Sequence, residues 1–411
     1  MLDFDIESFV RKRMTRRAES LLAADFARSA GELRARIDGR RMLVVGGAGT
    51  IGSNYVKAAL RSFRPAAMYV VDIDENQLTE LTRDLRAGEG YNVPDEYVTE
   101  PIDLGSPLFE KFFRAKGPFD IVANFAARKH VRAERDVHSI EAMCETNVFM
   151  AKKLLDLLLK FPPEHFFCVS TDKAANPVNV MGATKKLMEE TIMAYSDRLP
   201  IKTARFANVA FSNGSLPIGW LNRIAKKQPL SCPLGIRRFF VSPVESGELC
   251  LFASVMAASG DIVYPKLDPE KDMIPFDAVV KDMLDYMGLG CRACASTEEA
   301  KAAMKDFEPR NTQNTRNGYP CEFFGSDTSG EKTFEEFYTD TDVKDETTFV
   351  NLGVVKNAKK RPVEEVESIF AFLRAVFALE EVSKADVVEV LKDYLPNFQH
   401  IEKGKSLDSR M

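Results

Sequence analysis

The chain has 411 residues, of which 45% are hydrophobic and 28% are charged, and its net charge is −5. The length suits two lobes, or two lobes with an appendage, and the composition is that of a soluble globular protein. The charge gives no general reason to bind nucleic acid, and no apolar run reaches the roughly 18 residues that a membrane span needs. We therefore expect no nucleic-acid partner and no membrane span.

The N-terminal segment and the cysteines indicate the cellular compartment. The stretch RKRMTRRAES has no apolar signal core, and acidic residues follow it at Asp25, Glu32 and Asp38, so the cytoplasm is the expected location. Seven cysteines, an odd number scattered through a long chain, favour reduced thiols over a disulfide framework. Cys291 and Cys294 form a single CxxC pair with no second pair or histidine nearby in sequence, so no metal site is predicted.

Residues 1–40 are predicted to form a charged helical lead-in that packs on the main body through an apolar stripe. From residue 41 onward, short apolar runs alternate with amphipathic helical segments, which indicates a parallel sheet with helices on both faces. The runs are MLVVGG, AAMYVVDID, EYVTEPID, FDIVANFAA, HFFCVS and IKTARFANV. The helices between them are predicted over 53–62, 75–86, 139–159 and 180–196. The predicted fold class is therefore α/β.

Beyond the sixth run the alternation fades into a region that contains proline and glycine, which we assign to a smaller lobe over 208–290. A strand, GDIVYPKL, and a helix over 275–289 are expected to complete this lobe. Over 291–411 the composition becomes polar, and EPRNTQNTRNG is predicted to be a flexible loop. Two helices, over 363–379 and 384–395, are expected to close this C-terminal extension, whose role the sequence does not indicate.

The first motif, VVGGAGTIGS, is a strand that runs into a glycine-rich turn and then a helix. Without side chains at Gly46, Gly49 and Gly52, the backbone can approach a pyrophosphate at the helix N-terminus, where N–H groups and the helix dipole favour anions. Asp72 follows at the end of the second strand, where an acid can bond both ribose hydroxyls and repels a 2′-phosphate. The motif predicts a dinucleotide site that prefers NAD to NADP, and a glycine-rich turn without a ligand is the alternative.

The second motif, STDKAANPVNVMGATKK, spans Ser170–Lys186 and begins after a strand. On the helix that follows, Lys185 lies one turn after Met181, so both side chains point the same way. Together with the glycine turn and with NFAA at 124–127, these residues resemble the extended short-chain dehydrogenase/reductase family. The stretches ARKHV, STDKAANPVNVMGATK and RFANV are similar to the nucleotide-sugar 4,6-dehydratases that act on N-acetylhexosamines, often called polysaccharide biosynthesis proteins. The resemblance covers roughly 40–290.

The resemblance implies a Rossmann-type doubly wound sheet over 41–207 that binds NAD, with 208–290 as the substrate-binding lobe. It implies a 4,6-dehydratase reaction on a nucleoside-diphosphate N-acetylhexosamine, and UDP-N-acetylglucosamine is the expected substrate. Hydride leaves C4 for NAD, the 4-ketone acidifies the C5 proton, the C6 hydroxyl leaves as water, and hydride returns to C6. The product is a 4-keto-6-deoxy sugar nucleotide for surface polysaccharide or glycan biosynthesis, and a homo-oligomer is expected.

Elimination needs a base near C5 and an acid near O6, and the adjacent Asp172 and Lys173 can supply both. By resemblance, Asp172 is the acid and Lys173 is the base. Thr171 is expected to orient O4, and Lys185 is expected to hold the nicotinamide ribose. A solvated ion pair in a loop is the alternative for the Asp172–Lys173 pair. The sequence leaves open which group takes the O4 proton.

The predicted site residues combine the two motifs with the resemblance. Residues predicted to bind the cofactor are Gly46, Gly49, Thr50, Ile51, Gly52, Asp72, Asp103, Leu104, Asn124, Ala126 and Lys185. Residues predicted to bind the substrate are Lys129, His130, Met181, Asn208 and Arg238. Arg238 suits a diphosphate because a guanidinium fork matches phosphate oxygens, and a surface cation is the alternative.

Met181 is the departure from the wider family, in which a tyrosine of a YxxxK pair stands at this position and takes the proton of a sugar hydroxyl. A thioether cannot accept that proton. A dehydratase that uses other groups is favoured, because the similar branch of the family also carries methionine and is catalytic. The alternatives are a nucleotide-sugar 4-epimerase, which needs no C6 elimination and so no Asp–Lys pair, and a non-catalytic NAD-binding sensor or scaffold.

Overall fold

The computed structural model describes residues 4–307, 318–325, 330 and 332–402. Its strands, numbered in chain order, are β1 Arg41–Val45, β2 Ala67–Val71, β3 Glu96–Glu100, β4 Ile121–Asn124, β5 His165–Val169, β6 Ile201–Ala204, β7 Asn208–Val209, β8 Leu230–Leu234, β9 Arg237–Val241, β10 Asp261–Pro265, β11 Met273–Pro275, β12 Cys291–Cys294, β13 Tyr319–Gly325, β14 Lys344–Asp345 and β15 Leu352–Val355. Over these described residues the central sheet has nine strands, in the order β14-β15-β10-β6-β5-β4-β1-β2-β3. The pairs from β3 to β10 are parallel, whereas β15 and β14 extend the edge in antiparallel pairing.

Helices flank this sheet and connect its parallel strands. The α-helices are α1 Ile6–Phe9, α2 Ala23–Arg28, α3 Ala30–Ile37, α4 Thr50–Ser62, α5 Glu75–Ala87, α6 Pro107–Lys116, α7 Val137–Cys144, α8 Met150–Leu158, α9 Val180–Met193, α10 Leu216–Ala225, α11 Pro243–Met256, α12 Pro269–Asp272, α13 Phe276–Tyr286, α14 Thr297–Lys305, α15 Val363–Phe377 and α16 Lys384–Tyr394. Short 3₁₀ or π segments lie at Val10–Met14, Val131–Arg135, Glu145–Phe149 and Asp172–Ala174. The predicted α/β class, a Rossmann-type doubly wound sheet, is confirmed.

Local sequence explains how the strand β5 and the helix α9 are joined. Strand β5 is almost wholly buried, which suits an apolar run without polar alternation in a sheet covered on both faces. Helix α9 begins after Asn179, whose Oδ1 accepts the backbone N–H of Gly182 at 2.7 Å. An N-cap of this kind satisfies one of the N–H groups that the first turn leaves unpaired. The second motif is therefore held between the end of a buried strand and a capped helix.

The strand predicted to complete the smaller lobe lies elsewhere. Asp261–Pro265 is β10 of the central sheet, where it pairs in parallel with β6. The prediction was wrong because sequence periodicity identifies a strand but not the sheet in which it pairs. The region after β6 instead contributes to two small sheets, in the orders β11-β9-β7 and β12-β13-β8. A second hydrophobic cluster beside these sheets includes Trp220, Phe240 and Met283.

Both ends of the chain are built into the body of the protein. Leu22, Leu33 and Ile37 of the N-terminal lead-in are buried in the core of the central sheet, as the predicted stripe requires. From the C-terminal extension, β12 and β13 join β8, while β14 and β15 join the central sheet. Helices α15 and α16 share an apolar cluster with α7 and α9. The loop predicted at 308–318 lies outside the described residues, apart from its last residue.

Candidate active site

A cleft of about 270 Å³ lies at the carboxyl ends of β1, β4, β5 and β6. The strand order reverses between β1 and β4, which is where open parallel sheets bind their ligands. The residues that line the cleft are Gly46, Gly49, Thr50, Ile51, Gly52, Phe125, Ala127, Lys129, Val169, Ser170, Thr171, Asp172, Lys173, Met181, Lys185, Phe206, Ala207, Asn208, Val209 and Ser212. The cleft therefore brings the two sequence motifs to one place.

Two glycines of the first motif allow a close approach of backbone to backbone. Gly46 has a φ of +70°, and a Cβ atom there would lie 2.4 Å from the backbone N of Ala126. A Cβ atom at Gly52 would lie 2.4 Å from the carbonyl O of Gly46. Helix α4 therefore starts directly against the turn, with Gly49 as its N-cap. The first N–H groups of a helix lack partners within it, so the start of α4 brings donors that suit an anion to the lining of the cleft.

Asp72 and Asn124 shape the turn from the two neighbouring strands. One carboxylate oxygen of Asp72 accepts the N–H of Ala48 at 2.9 Å, and the other accepts the N–H of Asp74 at 3.1 Å. Asp72 is half-buried, and lone pairs remain for a ligand hydroxyl. Asn124 is buried, and its Oδ1 accepts the N–H of Ala126 at 3.1 Å. These contacts hold the backbone beside the glycine turn. Asp72, Asn124 and Ala126 are absent from the described lining of the cleft, so their contact with a cofactor stays a prediction.

Asp103 and Leu104 follow β3 and are absent from the described residues that line the cleft. Asp103 Oδ1 accepts the N–H of Gly105 at 2.7 Å. Leu104 is buried beside Phe109 in a separate small cavity. Asp103 therefore shapes its own loop in this structure, and the contact of both residues with a cofactor stays a prediction.

Thr171, Asp172 and Lys173 form a compact hydrogen-bonded turn at the end of β5. Asp172 Oδ1 accepts the hydroxyl of Thr171 at 2.8 Å. The same oxygen accepts the backbone N–H of Lys173 at 2.9 Å and its ammonium at 3.0 Å. Only 3% of Asp172 is exposed, which contradicts the alternative of a solvated loop pair. An acid and an amine therefore stand together at the wall of the cleft.

Lys185 and Met181 both line the cleft from α9, as their spacing predicts. The ammonium of Lys185 donates to the carbonyl O of Val169 at 2.6 Å. Burial lowers the pKa of Lys185, because a low-dielectric surrounding penalises the ammonium. Met181 is buried in the apolar cluster that α9 forms with α7, α15 and α16. Met181 thus supplies volume, and no proton acceptor, at the expected tyrosine position.

Lys129 and Asn208 line the cleft, whereas His130 packs beside it. The Lys129 side chain is exposed to solvent, but the protein around it still removes part of the hydration of its ammonium. This desolvation lowers the pKa of Lys129. Nδ2 of Asn208 is buried and has no hydrogen-bond partner among the described residues, so a ligand acceptor would satisfy it. His130 packs closely against Gly214, since a Cβ atom at Gly214 would lie 2.5 Å from the His130 ring. Desolvation, and to a smaller extent the charge of Lys129, lower the pKa of His130.

Arg238 is buried and faces the C-terminal extension. Its guanidinium donates to the carbonyl oxygens of Arg237, Lys332 and Thr333 at 2.9, 3.1 and 3.1 Å. An exposure of 6% contradicts the alternative of a surface cation. Arg238 is absent from the described lining of the cleft, so its contact with a diphosphate stays a prediction. The same region brings Glu335, which the sequence did not indicate, within 4.0 Å of Arg238.

Sequence reasoning also missed a buried ion pair behind the cleft. Glu189 accepts the hydroxyl of Ser170, a cleft residue, at 2.6 Å and the guanidinium of Arg205 at 2.9 and 2.7 Å. Burial alone would raise the pKa of Glu189, but Arg205 outweighs this effect and holds the pKa below its usual value. The sequence carried a signal for this pair, because Glu189 follows Lys185 by one turn of α9 and Arg205 opens the stretch RFANV.

The seven cysteines, all within the described residues, do not line the cleft. All are free thiols, and the CxxC pair, Cys291 and Cys294, lies on β12 beside the smaller lobe. Across the described ranges, no group of three or more His, Cys, Asp or Glu side chains is placed to hold a metal ion. Burial raises the pKa of the Cys294 thiol, so this thiol stays protonated at neutral pH.

Comparison with known protein families identifies the family of the chain. The family model described as polysaccharide biosynthesis protein matches residues 42–357, which is well over half of the chain. The chain belongs to this family. The family predicted from the sequence, the nucleotide-sugar dehydratases of the extended short-chain dehydrogenase/reductase type, is thereby confirmed.

Individual relatives are similar over most of the same region. The uncharacterized membrane protein MJ1061 of Methanocaldococcus jannaschii is 33% identical over 61% of this chain and 73% of its own length. A UDP-N-acetylglucosamine 4,6-dehydratase (inverting) of Campylobacter jejuni is 25% identical over 66% of this chain and 79% of its own length. The X-ray structure of Pen from Bacillus thuringiensis shares the fold, with a TM-score of 0.62, 20% identity and coverage of 82% of this chain and 98% of that chain. In the described part of this chain, no helix has both the length and the apolarity to cross a membrane.

Proposed function

We propose that this protein is a 4,6-dehydratase of a nucleoside-diphosphate N-acetylhexosamine, with UDP-N-acetylglucosamine as substrate and NAD as cofactor. The observation that carries the proposal is the hydrogen-bonded pair of the buried Asp172 and the half-buried Lys173, which shares one cleft with the glycine turn. An elimination needs an acid and a base side by side, whereas a 4-epimerase has no leaving group to protonate. Membership of the family supports an enzyme that modifies nucleotide sugars for polysaccharide biosynthesis.

The residues of the cleft fit a dinucleotide. The glycine turn offers backbone N–H groups at the start of α4 for a pyrophosphate. Asp72 directly follows β2, where a ribose is bound in such folds, and its charge would repel a 2′-phosphate. Lys185 would hold the nicotinamide ribose, because the carbonyl of Val169 already fixes its ammonium at the cleft wall. Bound in this cleft, NAD would supply a hydride acceptor for C4 of the sugar and, once reduced, a hydride donor for C6.

In this proposal Asp172 and Lys173 carry out the elimination. Lys173 removes the proton from C5, which the ketone at C4 makes acidic, and Asp172 donates a proton to O6 as the hydroxyl leaves as water. Thr171 orients O4 with its hydroxyl, which Asp172 holds by a hydrogen bond of 2.8 Å. Because the thioether of Met181 accepts no proton, the O4 proton leaves through Thr171, Asp172 or ordered water.

The two lobes divide the work in this proposal. Residues 41–207 bind NAD and 208–290 bind the substrate, and the unpaired amide of Asn208 lies at their junction. Lys129, which also lines the cleft, would contact the sugar, and Arg238 would contact the diphosphate after rearrangement of its carbonyl partners. A cytoplasmic homo-oligomer stays a prediction.

A mass spectrum of the products formed from a panel of UDP and GDP sugars tests the proposal. We expect UDP-N-acetylglucosamine to give a product lighter by one water, with a ketone that reacts with hydroxylamine. A product of unchanged mass that separates as the 4-epimer would identify an epimerase instead. If protein that retains NAD converts none of the sugars, the chain is a cofactor-binding protein without this activity.

A further inference from the structure

A short segment of the C-terminal extension, Lys332–Phe337, lies against the turn 171–173, which we call the acid–base turn. We call the segment itself the strap. Arg238 donates to the carbonyl of its first residue, and Arg205 donates to the carbonyl of its last residue, both at 3.1 Å. Both guanidinium groups are buried, so water does not compete strongly for these hydrogen bonds. The strap is therefore fixed on both sides of Glu335.

Glu335 extends from the strap toward the acid–base turn. Its Oε1 lies 3.9 Å from Nζ of Lys173 and 4.0 Å from Nη2 of Arg238, and only 5% of the residue is exposed. Asp172 holds the same lysine ammonium at 3.0 Å. The ammonium of Lys173 therefore has two buried carboxylates as neighbours, one from its own turn and one from a distant part of the chain.

The strap does not need a carboxylate at Glu335 to stay in place. Its backbone already accepts hydrogen bonds from Arg238 and Arg205, and the two ion contacts of Glu335 are too long to be hydrogen bonds. Burial raises the pKa of Glu335, and the charge of Lys173 offsets this only in part. A protein in which apolar side chains of similar volume replace buried charged ones is often as stable as the original, or more stable. The carboxylate is therefore better explained by its action on Lys173.

We propose that Glu335 is a positioning residue for Lys173, and that with Asp172 it fixes the lysine amine at one place in the cleft. Position matters because a general base must reach the proton that it removes, and a displacement of about 1 Å can cost roughly a hundredfold in rate. Glu335 is absent from the described lining of the cleft, so it acts through Lys173 and not on the substrate. This inference rests on the proposed function, in which Lys173 removes the C5 proton.

The test compares Glu335→Gln with Glu336→Gln in the full chain with NAD bound. Glu336 is a matched control, because it is the neighbouring acid of the strap and it accepts a hydrogen bond from Asn176 at 3.0 Å. We expect Glu335→Gln to lower kcat by roughly tenfold to a hundredfold while KM changes by less than about threefold. Glu336→Gln should leave both constants unchanged.

The pH dependence of kcat separates positioning from a general loss of structure. Glu335→Gln removes a negative charge 3.9 Å from Nζ of the base, and loss of a nearby negative charge favours the neutral form of an amine. The lower-pH limb of the kcat profile should therefore move to lower pH in Glu335→Gln and stay in place in Glu336→Gln. A merely structural role would lower the rate without moving this limb.

The proposal is overturned if Glu335→Gln has the wild-type kcat and pH profile, or if both variants lose activity equally. If Glu335→Gln does not fold, Glu335→Asp decides, because it keeps the charge but moves it away from Lys173. A lowered kcat at unchanged KM in Glu335→Asp supports the proposal, and a wild-type kcat overturns it. Failure of the proposed function itself is distinct, because the wild-type protein would then form no 4-keto-6-deoxy product.

Discussion

Two lysines of the same motif stand in different surroundings. Lys173 follows β5, and its neighbours are the carboxylates of Asp172 and Glu335 at 3.0 and 3.9 Å. Lys185 lies on α9, and its ammonium donates to the carbonyl of Val169 at 2.6 Å. A carboxylate can exchange a proton with an amine, whereas a backbone carbonyl only accepts a hydrogen bond. Lys173 is half-buried and Lys185 is buried, so the two lysines differ in both burial and hydrogen-bond partner. The partners fit the proposed roles, in which Lys173 transfers a proton and Lys185 holds a ligand.

The largest effect is expected from Lys173→Ala. This variant lacks the base at C5, so dehydration should fall by at least about a hundredfold, the usual lower range for general base catalysis. NAD content should stay at the wild-type level, because the base is assigned to the sugar and not to the cofactor. Product mass spectrometry gives the rate, and chromatography after denaturation gives the bound NAD. Equal loss of NAD in Lys173→Ala and Lys185→Ala would contradict this division.

A loss of roughly a hundredfold is expected from Asp172→Asn. The amide keeps the shape of the side chain but cannot give up a carboxylic proton, so the C6 hydroxyl must leave without an acid. Oxidation at C4 can continue, and NADH absorbance should therefore accumulate when substrate is mixed with the variant. Normal turnover without this absorbance would show that the carboxylate of Asp172 is structural.

Lys185→Ala should weaken the binding of NAD. Loss of a charged donor costs about 1.5 to 3 kcal/mol, so NAD should bind roughly tenfold to a hundredfold more weakly. Added NAD should restore part of the activity. Lys186→Ala is the matched control on the same helix, because Lys186 lies 3.8 Å from Glu189 and does not line the described cleft. Equal NAD retention in both variants would refute the role assigned to Lys185.

The smallest effect is expected from Met181→Leu. The substitution keeps apolar volume and removes the sulfur, and such swaps in cores usually cost under about 1.5 kcal/mol. Activity should therefore stay within about tenfold of the wild type in a steady-state assay. An inactive Met181→Leu protein that folds and binds NAD would mean that catalysis depends on the thioether, and that the acid–base turn is not sufficient.

Periodicity and capping made the first half of the chain predictable. The helix predicted over 180–196 is α9, Val180–Met193, which starts where Asn179 caps it. The turn from Thr171 to Lys173 was predictable as a site because polar residues follow a buried strand at the carboxyl edge of a parallel sheet. Local sequence carries all of this information.

The rest depends on contacts between distant parts of the chain. The sequence placed Arg238 only in the smaller lobe, whereas the structure places it on β9, where alternate residues point to opposite sides. Its neighbours Arg237 and Phe239 line a cavity of about 620 Å³ together with strap residues 334–337, whereas Arg238 donates to the carbonyl of Lys332. Glu335 reaches Lys173 only because the C-terminal extension returns to the central sheet. No spacing within the motifs could have indicated that contact.

In the proposed reaction, Lys173 and Asp172 eliminate water across C5 and C6. The most direct measurement is the mass spectrum of the product formed from UDP-N-acetylglucosamine in D₂O. The account predicts a product that has lost one water and gained one deuterium at C5, because the base exchanges the proton that it takes with solvent before C5 is reprotonated. A product of unchanged mass without deuterium would contradict the claim, since hydride transfer at C4 alone leaves C5 untouched.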